Sequence, residues 1–245
     1  MSVTTTTPET TSTTQPKKRR LRTPYFQVVA SLAWKDLRAE ARGREMVNAM
    51  LLFSIMAVLI FSFALELDRQ AQEATVGGVL WVTIAFAGTL GLGRSLAAEK
   101  DKGSLDALLL APVERSALFY GKMIGNFLFT LAVGFLLVFL LTVLFNVNLF
   151  RPVLWLIIVL GCLGFATTGT LVASMSVHAR AREMLLPILL LPVILPVIIS
   201  ATRASTALIT ELKTEDWLPW IQLLGVVDFV FLLAGFFLFD FIVEE

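Results

Sequence analysis

Few residues in this sequence have side chains suited to chemistry, and their positions are unusual. Asp228 is the single charged residue inside the apolar run 217–239. A charge at the bilayer centre costs roughly 2.5–3.5 kcal/mol on insertion scales, so an acid there is a functional candidate by default. Two readings stand. Either Asp228 contacts a proton or a substrate, or it is a protonated or hydrogen-bonded carboxyl that fixes helix packing, with Asn126, Thr130, Thr167 or Thr168 as partners. His178 is the lone histidine and Cys162 the lone cysteine. These counts exclude an internal disulfide, a cysteine-cluster metal site and HExxH zinc chemistry. His178, beside Arg180 and Arg182, reads as an interfacial contact, and Cys162 as a small apolar packing residue. No phosphate-binding loop is present. The Gly-Lys pair Gly121-Lys122 is followed by Met123, and Ser116 stands where the first glycine of GxxxxGK[ST] belongs. Hydrolysis of ATP by that route is therefore excluded, and any energy must come from a partner or a gradient.

The elements that must position these residues are membrane spans. Apolar residues make up 57% of the 245 and charged residues 16%, against roughly 45–50% and 25% in soluble domains. Mean hydropathy is +0.81. These values predict an all-α integral membrane protein. Uncharged runs at 46–65, 74–93, 123–150, 152–177 and 184–202, with 217–239 broken only by Asp228, give six spans, since about 20 apolar residues cross a bilayer core. The runs are long and continuous, unlike the short alternating strands of a membrane barrel. Arg151-Pro152 predicts a tight turn between spans three and four.

Ahead of the spans, residues 1–23 are threonine-rich and then basic, and are expected to be disordered. They lack the apolar stretch of a signal peptide. Over 24–45, Tyr25, Val28, Val29 and Leu32 recur at helical spacing while Lys35, Asp36 and Arg38 preclude a span, which predicts an amphipathic helix lying at the membrane surface. Residues 46–245 form the six-span domain. Sixteen of the 20 Lys and Arg residues fall on the side of the N-terminal segment, and Arg69, Arg151, Arg203 and Lys213 on the other. The positive-inside rule places both termini in the cytoplasm. A net charge of +1 gives no field for nucleic acid.

The longest polar segment between spans runs from Arg94 to Lys122. Ser104 is a good N-cap, Asp106 sits in the first turn, and Pro112 ends the helix early. Leu105, Leu108 and Leu109 share one face. A short amphipathic helix here is either a handle for a soluble partner or a loop helix lying on the membrane. Pro187, Pro192 and Pro196 each remove a donor from span five; either a kinked or locally unwound helix there lines a pathway or acts as a gate, or they are among the prolines that membrane helices commonly carry without a mechanism. Trp217 and Trp220 suit the outer aromatic belt. Gly121 and Gly125 form a GxxxG at the start of span three, which permits close helix packing.

Several of these segments together resemble the CcmB family, the haem-exporter permease subunit of cytochrome c maturation. They are Gly78-Val79-Leu80-Trp81-Val82, Leu92-Gly93-Arg94, the Gly103–Pro112 segment, Gly121-Lys122, the proline-rich stretch Leu186–Val197 and the end Leu238–Glu245. The resemblance covers about residues 27–245. It implies an ABC-2 type exporter permease with six transmembrane helices in the bacterial inner membrane. In that setting the 99–112 segment is a cytoplasmic coupling helix between spans two and three, and Glu99, Gly103, Leu105, Asp106, Leu108, Leu109 and Pro112 form its ATPase-docking interface. The implied partners are a cytoplasmic ABC ATPase subunit, a haem-handling membrane protein of the same system and a haem chaperone, with membrane lipid around them. No bound cofactor is implied for this chain; haem is the candidate cargo and ATP sits on the partner. His178 does not make a haem site by itself, because such sites add axial and propionate partners. The competing functions are an ABC exporter for a lipid, drug or polysaccharide, a non-transporting assembly scaffold, and a gradient-driven carrier with only Asp228 as embedded charge.

Overall fold

The computed structural model describes residues 24–65, 69–101, 115–175 and 182–242. Over these residues it is all-helical: α1 Tyr25–Gly43, α2 Glu45–Ala64, α3 Arg69–Asp101, α4 Arg115–Phe145, α5 Pro152–Met175, α6 Arg182–Ile209 and α7 Thr214–Ile242. Helices α2 to α7 are each long and apolar enough to cross a membrane. Six antiparallel passes leave α1, the end of α3, the start of α4 and the end of α7 at one face. The 1–23 segment lies outside the described residues.

Helices α1 and α2 meet at a corner built on Glu40. Arg44 between them adopts a left-handed backbone with φ 56°, a conformation costing a non-glycine residue roughly 1–2 kcal/mol. Its N–H donates to the Glu40 carbonyl at 2.7 Å. The Glu40 carboxylate accepts from the Val47 N–H at 2.8 Å and so caps the exposed donors that open α2. The apolar face of α1 buries Val29, Leu32 and Ala33. It packs on α4 rather than on lipid alone, because Gly121 lets Leu32 approach and Gly125 lies beside Asp36. The GxxxG at the start of span three thus serves this contact. Phe26 and Trp34 remain exposed on α1.

Helices α3 and α5 are the most enclosed of the six spans, and α2 and α7 the least. Helices α3 and α5 run parallel and interlock through glycines. Trp81 of α3 fills the space above Gly161 of α5, Phe165 of α5 that above Gly88, and Leu92 of α3 that above Gly169. Residues 161, 165 and 169 lie one turn apart on a single α5 face. The Trp81 indole donates to Ser205 Oγ of α6 at 2.9 Å, and the indole is fully buried. With no hydrophobic drive between helices in lipid, close approach at small residues and such polar contacts hold the bundle.

Several boundaries differ from those read off the apolar runs, and α3 reaches Asp101 and α4 begins at Arg115, past the uncharged ends at 93 and 123. Span three stops at Phe145, not 150: Asn146 takes a left-handed backbone with φ 51°, which asparagine tolerates. Residues 146–151 form the turn, with Val147 and Leu149 buried beneath it. Span five continues through Arg203 to Ile209. The Arg203 side chain is exposed near that helix end, where a long cationic side chain reaches the interface. Helix α7 starts at Thr214, with Glu215 and Asp216 in its first turn, where the helix dipole favours acids. The loop between α6 and α7 is therefore short.

That loop is clamped. Glu211 ends α6 in a left-handed conformation with φ 57°, and the Leu212 N–H returns to the Ala207 carbonyl at 3.0 Å. Arg151 donates to the Leu208 carbonyl at 3.0 Å and to the Glu211 carboxylate at 2.6 Å, so a cation sits at the negative end of α6.

Candidate functional site

Two regions hold the residues singled out in the sequence. The first is the face that carries α1. The apolar part of α3 ends near Ser95, but the helix continues to Asp101. Six further residues at 1.5 Å each project it about 9 Å past the apolar span. Glu99 lies in this projecting turn. Gly103, Leu105, Asp106, Leu108, Leu109 and Pro112 lie outside the described residues, as does His178. Helix α4 then resumes at Arg115, immediately before its apolar span. The end of α3 and the start of α4 therefore lie at the same face as α1, which crosses the first turns of α4 at Gly121 and Gly125. Gly121 is occupied by this helix contact.

The second region surrounds Asp228, midway along α7. Its side chain is buried, with 3% exposure, and neither carboxyl oxygen has a hydrogen-bond partner. The carboxyl lies on the bare backbone of Gly164 in α5: a Cβ placed there would collide with Oδ1 and stand 3.0 Å from a Val197 methyl of α6. The four polar residues expected as partners do not hydrogen-bond to it. Asn126 donates its amide to Thr170 Oγ1 at 2.9 Å, Thr130 donates to the Asn126 carbonyl at 2.8 Å, and Thr167 donates to the Leu163 carbonyl at 2.8 Å. Thr168 is fully buried with its hydroxyl unpartnered. It stands one turn from Gly164 on the same α5 face.

Helix α6 runs without interruption through Pro187, Pro192 and Pro196. Pro192 and Pro196 share an outward, exposed face, whereas Leu186, Leu190, Ile194, Val197 and Ala201 form the buried one. The Ser200 hydroxyl donates to the Pro196 carbonyl at 2.7 Å. Pro192 and Pro196 thus sit away from the packed interior, while Pro187 is half-buried. Cys162 is a buried free thiol beside Gly134. Trp217 and Trp220 lie half-buried in the first turns of α7. Among the described residues no three His, Cys, Asp or Glu side chains converge.

Sequence reading missed the residues that build these contacts: Gly161, Gly164 and Gly169 as sockets, the Trp81–Ser205 pair, and Arg151 with Glu211. The available signal was the density of small residues in span four, which marks helix interfaces.

The family model described as "CcmB protein" matches residues 27–242. Heme exporter protein B of Rhodobacter capsulatus is 30% identical over 168 residues, covering 66% of this chain and 75% of that protein. Heme exporter protein B of Pseudomonas aeruginosa is 28% identical over 185 residues, covering 74% of this chain and 81% of that protein.

Proposed function

We infer the function from one premise: this chain belongs to the CcmB protein family. On that premise it is the membrane permease subunit of an ATP-driven complex that serves haem export and haem-chaperone release in cytochrome c biogenesis. The carrying observation is the family match across nearly all the described helices, supported by relatives whose names state haem export. The chain carries no P-loop, so hydrolysis falls to a separate ATPase subunit. That subunit would dock on the 99–112 segment, and in support α3 continues to Asp101, beyond its apolar span. By the distribution of Lys and Arg, this face is the cytoplasmic side of a bacterial inner membrane. The other partners are a haem-handling membrane protein and a haem chaperone on the opposite face.

The test is covalent haem in c-type cytochromes, measured by haem staining in a strain lacking the gene and in the complemented strain. The expected result is loss of c-type haem in the first and recovery in the second. Normal c-type haem in the deletion strain overturns the haem reading.

A further inference from the structure

A carboxylate at Asp228 would be a bare charge. It is buried midway along a membrane helix, and no donor reaches either oxygen. Burying an ionised carboxyl without a partner is far costlier than burying the neutral acid. Something must neutralise it, and the surroundings limit what that can be. The space left by the missing side chain of Gly164 is already filled by the carboxyl, and Val197 closes against the same spot. The facing helix offers one further free oxygen one turn away, the Thr168 hydroxyl. A hard metal cation takes about six oxygen ligands, and among the described residues no such set of acidic ligands converges here. A proton needs no such set.

The neighbours of the carboxyl differ in the two directions along the helices. Toward the face that carries α1, the Thr168 hydroxyl is free, and one turn along α7 the Tyr120 hydroxyl donates to the Leu232 carbonyl at 3.2 Å. Tyr120 is half-buried near the start of α4. Toward the opposite face Leu224, one turn back on α7, is fully buried, Trp81 covers Gly161, and the buried hydroxyls of Ser200 and Ser205 are engaged with the Pro196 carbonyl and the Trp81 indole. Among the described side chains, the titratable groups on the elements packed against α7 are Cys162 on α5, Tyr120 and Lys122 on α4, and Arg203 on α6. None donates a hydrogen bond to Asp228. Lys122 lies in the second turn of α4, and Arg203 is exposed toward the other end of the bundle.

We propose that Asp228 is a proton-binding site, occupied while α7 rests on Gly164 and exchanging with water on the α1-bearing face. This goes beyond the permease role and does not depend on which cargo the complex serves.

The experiment is infrared spectroscopy of the full chain in liposomes, reading the carbonyl stretch of a protonated carboxylic acid. The wild type is expected to show that band at neutral pH. Asp228→Asn should lose it, and Asp228→Glu should keep it at a shifted frequency, which identifies the band even where the asparagine variant folds poorly. Raising the pH on the α1-bearing side should remove the band, and raising it on the other side should leave it. A wild type without the band, or a band unchanged in both variants, overturns proton binding. A band that follows the pH of the opposite side overturns the route of access. Haem staining is a separate readout, so failure of this proposal is distinguishable from failure of the haem assignment.

Discussion

The carboxyl of Asp228 occupies the volume that a side chain at Gly164 would need. One helix supplies a polar group and another supplies the absence of a side chain to receive it. Neither residue is explained alone. Glycine costs a helix about 1 kcal/mol relative to alanine, and here that cost is offset by the close seating of α7 on α5. Three other glycines at α3 and α5 play the same part for Trp81, Phe165 and Leu92.

Gly164→Ala should therefore destabilise the bundle by about 1–3 kcal/mol through overpacking, read by thermal or denaturant unfolding in detergent. Asp228→Ala combined with it should recover part of the loss, because the added methyl then has room. The coupling in this cycle should reach about 0.5–3 kcal/mol, as expected for touching residues. Additive effects would show that the carboxyl does not sit on residue 164.

Gly161→Ala should be costly in the same way, since the buried Trp81 ring covers it and has no free space to retreat into. Ser205→Ala leaves the Trp81 indole N–H buried without its acceptor, a loss of about 1 kcal/mol. Polar contacts between membrane helices average about 0.6 kcal/mol, so the glycine variant should be the worse of the two. The order of the two unfolding midpoints decides this.

Arg151→Ala should leave the unfolding midpoint nearly unchanged, because its ion pair with the exposed Glu211 is worth under about 1 kcal/mol. The effect should be local. Glu211 holds a left-handed backbone beside that cation, and the amides of Glu211 to Lys213 should exchange hydrogen faster in the variant. Unchanged exchange there would show that the clamp does not order the loop.

Asp106→Arg and Leu108→Glu test the proposed docking role of the 99–112 segment. Each should uncouple ATP hydrolysis in the proposed ATPase subunit while leaving membrane insertion intact. Normal stimulated hydrolysis in both variants would count against docking at this segment.

Much of the architecture is legible in the chain. The six spans, the amphipathic helix ahead of them and the break at Arg151-Pro152 follow from runs of apolar residues and from where the charges interrupt them. The errors lie at the ends. Asn146 ends α4 early because its backbone turns left-handed. Arg203 does not end α6, because its long side chain stays exposed while the backbone remains helical. The candidate site was half legible. Asp228 stands out as an acid in an apolar run, but of its expected partners Asn126 bonds to Thr170, Thr130 and Thr167 bond to backbone carbonyls, and the Thr168 hydroxyl stays unpartnered.

What the sequence determined by itself is the count of spans and the grouping of charges about them. The transfer energy of an apolar run depends on its own residues and needs no neighbour. What the tertiary structure decided is which face of each span meets which other. In lipid an apolar side chain is equally at home against protein or against acyl chains, so hydrophobicity does not mark the inward face. The pairing of Trp81 with Gly161, the outward turn of Pro192 and Pro196, and the seating of Asp228 on Gly164 were fixed only when the helices packed, because shape and close approach select among faces of equal polarity.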